Sequence, residues 1–121
     1  MARILVIDDD DMIRDVVRQM LENEGFEVAD ACEGREGMAL QRKRPADLVI
    51  TDLIMPDQEG LETIKKLRDE FPQVKILAIS GGGWIDAGAY LETAGKIGAH
   101  ATLAKPFERE ALLAAVRELL S

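Results

Sequence analysis

Two rhythms of apolar and polar positions alternate along this chain. Arg3–Ile7 is a near-continuous apolar run, the pattern of a strand covered on both faces. Met12–Glu24 follows, with Ile13, Val16, Val17, Met20 and Leu21 at helical spacing. Gly25 stands where such a helix would stop. Phe26–Ala29 predicts a second strand, and Glu36–Lys43 predicts a short helix that Pro45 closes. Leu48–Thr51 reads as a third strand. Leu61, Ile64, Leu67 and Arg68 open a helical stripe that ends at Pro72. Lys75–Ile79 predicts a fourth strand, and a weaker helix rich in Ala and Gly runs from about Asp86 to Lys96. Ala101–Leu103 is a short fifth strand. Glu108–Leu120 is a strong final helix, with Leu112, Leu113, Val116, Leu119 and Leu120 apolar.

Five strand–helix units in a row imply parallel strands joined by right-handed helical crossovers, with helices on both faces. The expected fold is α/β: a flavodoxin-like doubly wound (βα)5 domain with a five-stranded parallel sheet in the order 2-1-3-4-5. That order puts the topological switch point between strands one and three. No repeat, linker or low-complexity tract interrupts the pattern, so residues 1–121 are expected to form one domain.

Composition narrows the classes of function. The chain is 47% hydrophobic, enough for a core. Fifteen Lys and Arg against twenty-three Asp and Glu give a net charge of −8. That balance disfavours direct nucleic-acid binding and attachment to a membrane surface. No apolar run approaches the roughly 20 residues of a membrane span. The start, Met1-Ala2-Arg3, lacks the form of a secretion signal. Cys32 stands alone and cannot close an internal disulfide. A cytoplasmic domain is the expectation.

The unusual residues fall where the predicted strands end. Asp8 and Asp9 end strand one, Asp52 ends strand three, Ser80 ends strand four, and Lys105 follows strand five. The carboxyl ends of parallel strands share one edge, where open α/β sheets bind ligands. Converging carboxylates repel, so one must take up a proton or a cation must join them. An oxygen-only donor set suits Mg²⁺, with Mn²⁺ as a substitute. Each residue also has a bland reading. Asp10 or Asp11 suits a helix N-cap, and Asp52 suits a turn before Pro56. Ser80 precedes the loop Gly81-Gly82-Gly83, and Lys105-Pro106 suits the first turn of a helix. Their joint placement on one edge is what points to chemistry.

Four separated motifs carry a resemblance. Ile4-Leu5-Val6-Ile7-Asp8-Asp9, Leu48-Val49-Ile50-Thr51-Asp52 with Met55-Pro56 and Gly60, Ser80, and Lys105-Pro106-Phe107 together resemble the receiver domain of bacterial two-component response regulators. The resemblance covers essentially the whole chain. It implies that a sensor histidine kinase or a histidine phosphotransfer protein phosphorylates Asp52. It implies that Asp9, Asp52 and the backbone carbonyl of Ile54 ligate Mg²⁺, with Asp8 acting mostly through water. Lys105 would pair with Asp52 and then with the phosphoryl group, Ser80 would bond a phosphoryl oxygen, and the bond to Pro106 would be cis. The domain would catalyse its own phosphorylation and dephosphorylation but would not act on a separate substrate.

The chain also departs from that family. The aromatic switch residue expected three positions before the lysine is Thr102 here. Gly81 fits the small residue beside the site, but the stretch from Ser80 to Lys105 is a few residues longer than usual and begins with three glycines. Ile54 and Gly82 occupy the positions that tune phosphoryl lifetime, and neither can orient an attacking water, which implies slow hydrolysis. His100 reads as a surface residue. The face built from the helix near 86–96, the fifth strand and the final helix is the family's usual output surface for a downstream protein. With the final helix ending at Ser121, the signal is expected to leave by protein contact, unless the chain is part of a larger regulator. Two other readings compete. Asp8 and Asp10 form the D-x-D of an aspartyl-nucleophile phosphatase, although Met12 fills a position where such enzymes favour Thr or Val. A pseudo-receiver that never accepts phosphate is the other.

Overall fold

A computed structural model describes residues 2–53, 59–81, 96 and 98–121. Its elements in chain order are β1 (Arg3–Ile7), α1 (Asp11–Asn23), β2 (Glu27–Ala31), α2 (Gly34–Lys43), β3 (Leu48–Asp52), α3 (Glu59–Glu70), β4 (Lys75–Gly81), β5 (Ala101–Lys105) and α4 (Arg109–Leu120). The helix expected near 86–96 lies outside the described residues, apart from Lys96, so α4 denotes the C-terminal helix.

All strand pairs are parallel, in the order β2-β1-β3-β4-β5. The three central strands explain the uninterrupted apolar runs. Successive side chains point to opposite faces, and each face is covered by helices. Leu5, Ile7, Val49, Ile76 and Ala78 pack with Met38 of α2 and with Ile64 and Leu67 of α3. Ile4, Val6, Leu48, Ile50, Leu77 and Ile79 pack with Val17 and Leu21 of α1 and with Leu112, Leu113 and Val116 of α4. Each fully buried Leu or Ile stabilises the fold by roughly 1.5–3 kcal/mol relative to exposure.

Helix α1 begins and ends on specific local chemistry. The Asp10 carboxylate accepts from the N–H groups of Met12 (3.0 Å) and Ile13 (3.3 Å), satisfying two orphan donors. At the other end Gly25 takes φ 91°, a left-handed conformation that side chains disfavour. Its N–H donates to Glu22 O (3.0 Å) and that of Phe26 to Leu21 O (3.2 Å), a Schellman closure. Phe26 is therefore part of the turn, and β2 starts at Glu27, one residue later than its hydrophobicity suggests.

Other boundaries move as well: β2 runs on to Ala31, two residues past the predicted Ala29, β3 ends one residue later at Asp52, and α1 starts and ends one residue earlier, at Asp11 and Asn23. Helix α2 starts at Gly34, two residues before the predicted Glu36. Strands β4 and β5 each continue two residues beyond the predicted ends, so Ser80 lies inside β4 and Lys105 closes β5. The ladder pairs Ser80 with Ala104 and Gly81 with Lys105, so backbone pairing continues after the apolar pattern stops.

Candidate functional site

The sheet brings the polar strand ends to one edge. Asp8 follows β1, and its N–H still donates to Ala31 O of β2 (3.1 Å). Asp52 is the last residue of β3, opposite Ile79, and the next N–H, from Leu53, donates to Ile79 O (2.8 Å). Helix α3 lies close against this strand end because Gly60 has no side chain. A Cβ there would stand 2.5 Å from Asp52 O and 2.6 Å from Leu53 Cα.

Asp8, Asp9 and Asp52 each present a carboxylate oxygen, and these three oxygens lie within 4.8 Å of one another. Asp8 and Asp52 are buried, at 1% and 4% exposure, whereas Asp9 is exposed. Asp8 uses both oxygens: Oδ1 accepts from the Asp10 N–H (2.9 Å) and Oδ2 from Lys105 Nζ (2.8 Å). The same ammonium stands 3.6 Å from Asp52 Oδ2. Burial alone would push the Lys105 ammonium down. The hydrogen bond to Asp8 and the negative charges of Asp52 and Asp8 outweigh it and hold the group above the usual lysine range. Lys105 is thus charged at neutral pH, and one positive charge faces three acidic groups.

This imbalance tests whether a metal fits. The donors are all hard carboxylate oxygens, close enough to share one ion, and two of them are removed from water. Such a set suits a hard divalent cation that retains some of its water. A soft metal would find neither sulfur nor imidazole among the described residues of the cluster.

Ser80 adds a second unsatisfied group. It is fully buried, and its Oγ has no hydrogen-bond partner among the described residues. Leaving a buried hydroxyl unpaired costs about 1–3 kcal/mol. Gly81 is opposite Lys105 at the end of the ladder, Thr102 is exposed on β5, and the Lys105–Pro106 peptide is cis. Ile54 and Gly82 lie outside the described residues, as do Met55, Pro56, Gly83 and Trp84.

Two residues with specific roles escape a linear reading. Arg14 donates from Nη1 to the backbone carbonyl of Asp8 (2.8 Å). Its one signal in the sequence is a cation near the N-terminus of a helix, where the macrodipole disfavours positive charge. His100 is exposed, as expected, yet its Nδ1 accepts from the Ile76 N–H (3.1 Å) while its own N–H donates to Ile76 O (2.8 Å). It joins the starts of β4 and β5, at the opposite end of those strands from the carboxylates.

The described residues hold no helix long and apolar enough to cross a membrane. The response regulator receiver domain family matches residues 4–117. A probable C4-dicarboxylate response regulator, DctR, from Halalkalibacterium halodurans is 34% identical over 98% of this chain and 51% of its own length. The transcriptional regulatory protein CpxR of Klebsiella pneumoniae is 33% identical over 99% of the chain and 50% of its own length. The chain therefore spans about half the length of these curated relatives. Among solved structures, a receiver domain protein from Clostridium thermocellum superposes with a TM-score of 0.89 at 30% identity, covering 98% of this chain and 94% of that one. The chemotaxis response regulator CheY4 of Vibrio cholerae gives 0.87 at 31% identity, covering 98% of each chain. Sequence match and superposition both run nearly end to end: this chain belongs to the response regulator receiver domain family, the phosphoryl-accepting module of two-component signalling.

Proposed function

We propose that Asp52 is the phosphoacceptor of this receiver domain, and that residues 1–121 act as one such unit. The observation that carries the reading is the carboxylate triad with a single ammonium at the sheet edge. A carboxylate oxygen of Asp52 attacks the phosphorus of a phosphohistidine on a sensor kinase or phosphotransfer protein. The P–O bond forms as the P–N bond breaks, and the imidazole leaves with the electron pair and takes up a proton. Asp9, Asp52 and the Ile54 carbonyl would hold Mg²⁺, with Asp8 one water removed. When bound, the ion supplies positive charge to the phosphoryl oxygens. Lys105 supplies a further cation from the protein itself, and the Ser80 hydroxyl is a donor for a phosphoryl oxygen.

The domain accelerates reactions on its own side chain and is a switch, with no separate substrate. Hydrolysis is slow because Ile54 and Gly82 offer no group to orient water, and Ile54→Asn should speed the decay. Its output face comprises the segment near 86–96, β5 and α4. Thr102 replaces the usual aromatic there, so the readout runs through other contacts. The net charge of −8 disfavours a nucleic-acid face on this domain. The reading places the domain in the cytoplasm with its phosphohistidine donors.

Incubation with Mg²⁺ and acetyl phosphate, followed by mass-spectrometric mapping, tests the assignment. Modification at Asp52 is expected. Modification at Asp8 would instead support an aspartyl phosphatase, which its engagement by Lys105 and the Asp10 N–H disfavours. No acyl phosphate under any condition would leave a pseudo-receiver.

A further inference from the structure

Of the three clustered carboxylates, two are held directly. Asp8 is fixed by Lys105 and the Asp10 N–H, and Asp52 lies beside the same ammonium. Asp9 is exposed and makes no side-chain hydrogen bond among the described residues. Its place in the cluster must come from the backbone that carries it. The peptide group is planar, so whatever holds the Asp8 carbonyl also sets the direction of the Asp9 N–H and the position of the Asp9 Cα.

Arg14 holds that carbonyl, and it is itself held on two sides. Nη1 donates to Asp8 O (2.8 Å), Nε to Asp30 Oδ2 on β2 (3.1 Å), and Nη2 to Asp11 Oδ1 (2.6 Å). The guanidinium fork thus ties the end of β1 to the neighbouring strand and to the first turn of α1. The side chain is only 17% exposed. Arg18 donates to the other oxygen of Asp30 (2.9 Å) and also pairs with Glu22, but it makes no hydrogen bond to Asp8 among the described residues. Two carboxylates neutralise Arg14, which argues that it acts by geometry and not by adding charge to the pocket. A lysine could keep the charge but could not span three acceptors in one plane.

We infer that Arg14 is a positioning residue: through the Asp8 carbonyl it places the Asp9 carboxylate for Mg²⁺, and so sets the Mg²⁺ affinity of the pocket. The inference rests on the proposed role of Asp8, Asp9 and Asp52. Outer partners of metal-ligating groups commonly account for about 10–100-fold in metal affinity.

Mg²⁺ binding to the full chain would be measured by calorimetry for wild type, Arg14→Gln, Arg14→Lys and Arg18→Gln, with phosphorylation by acetyl phosphate followed across Mg²⁺ concentrations. Both Arg14 variants should bind Mg²⁺ about tenfold more weakly, with Arg18→Gln within about twofold of wild type. Phosphorylation of the Arg14 variants should be slow at low Mg²⁺ and return to the wild-type rate at saturation, a split that general loosening of the fold would not give. Should Arg14→Gln be too unstable to measure, Arg14→Lys decides. Wild-type Mg²⁺ affinity in either Arg14 variant overturns the inference, and so does a rate deficit that saturating Mg²⁺ leaves in place. A wild-type chain that binds no Mg²⁺ overturns the site reading itself, and this inference with it.

Discussion

Replacing Asp52 by Asn should stabilise the metal-free protein, although it alters a buried and well-packed position. Asp52 is 4% exposed, with carboxylate oxygens of Asp8 and Asp9 within 4.8 Å and the Lys105 ammonium at 3.6 Å. At an effective dielectric of about 20, each like-charge contact at that distance costs about 3.5 kcal/mol, and the lysine returns about 4.6 kcal/mol. Over these three groups alone, two repulsions against one attraction leave about 2 kcal/mol in favour of removing the charge. Screening of the exposed Asp9 lowers that figure, and relief from desolvation of a buried carboxylate raises it, so the expected gain is about 1–3 kcal/mol. Asparagine keeps the shape and one acceptor oxygen. Urea unfolding in EDTA should therefore give a higher midpoint for Asp52→Asn with an unchanged slope. Mg²⁺ should then narrow the gap, because an ion at about ten times its Kd adds about 1.4 kcal/mol to the protein that binds it. A variant less stable than wild type in EDTA, or equal stabilisation of both proteins by Mg²⁺, would refute the electrostatic account.

Ser80→Ala should unfold at a urea concentration equal to or above that of wild type, since the deleted hydroxyl has no partner among the described residues; a clear loss would reveal a bond in the resting state. Gly60→Ala should destabilise by up to about 2 kcal/mol, an overpacking cost of about 1–3 kcal/mol set against a helix gain of about 1 kcal/mol, because the three atoms nearest the new Cβ are all backbone. A more stable Gly60→Ala in urea unfolding would show that α3 can shift freely. His100 is held below the usual imidazole range by burial and by the charges of Arg68 and Lys75. Its depressed value means that its neutral form stabilises the fold above the unfolded value of 6.5, and that this contribution is lost as pH falls through the folded value. Wild type should accordingly lose stability below pH 6.5 more steeply than His100→Asn, and parallel pH profiles would count against it. Phosphorylation should change amide hydrogen exchange in Ala101–Lys105 more than in Arg3–Ile7 or Leu48–Asp52; equal change in all three would place the response elsewhere.

Hydrophobicity along a chain reports burial, and that decides which parts of this fold were legible. Ile4–Ile7 and Leu48–Ile50 are covered by helices on both faces, so their strands announce themselves. Strand β5 lies at the sheet edge with Thr102 and Ala104 exposed, and its signal is faint. Ser80 and Lys105 stay in register through backbone pairing, which leaves no mark on the apolar pattern, so the sequence puts Ser80 at the end of its strand and Lys105 past its own. The carboxylates and the lysine were readable because strand ends in a parallel sheet must share an edge. Arg14 and His100 were not readable as partners of Asp8 and Ile76, because those bonds form only when α1 and β5 have docked.

The same features explain why a pocket of this kind can act as a switch at all. In the resting state three acidic groups share one ammonium, which sits closer to Asp8 (2.8 Å) than to Asp52 (3.6 Å), and a buried hydroxyl lacks a partner. With Asp52 as the proposed phosphoacceptor, a phosphoryl group there would bring new acceptor oxygens and more negative charge to the β3 end of the pocket. The ammonium would then gain by leaving Asp8 for that end, and the Ser80 hydroxyl would gain a partner. Lys105 sits on β5, an edge strand, while Ser80 sits on β4, Asp52 on β3 and Asp8 just after β1, all strands with neighbours on both sides. Strand β5 has β4 as its one ladder partner, and so has less pairing to lose than β1, β3 or β4. Conformational response should therefore concentrate at β5, even with Thr102 in place of an aromatic ring, because the pull on Lys105 originates in the pocket and does not depend on which side chain lies three residues before it.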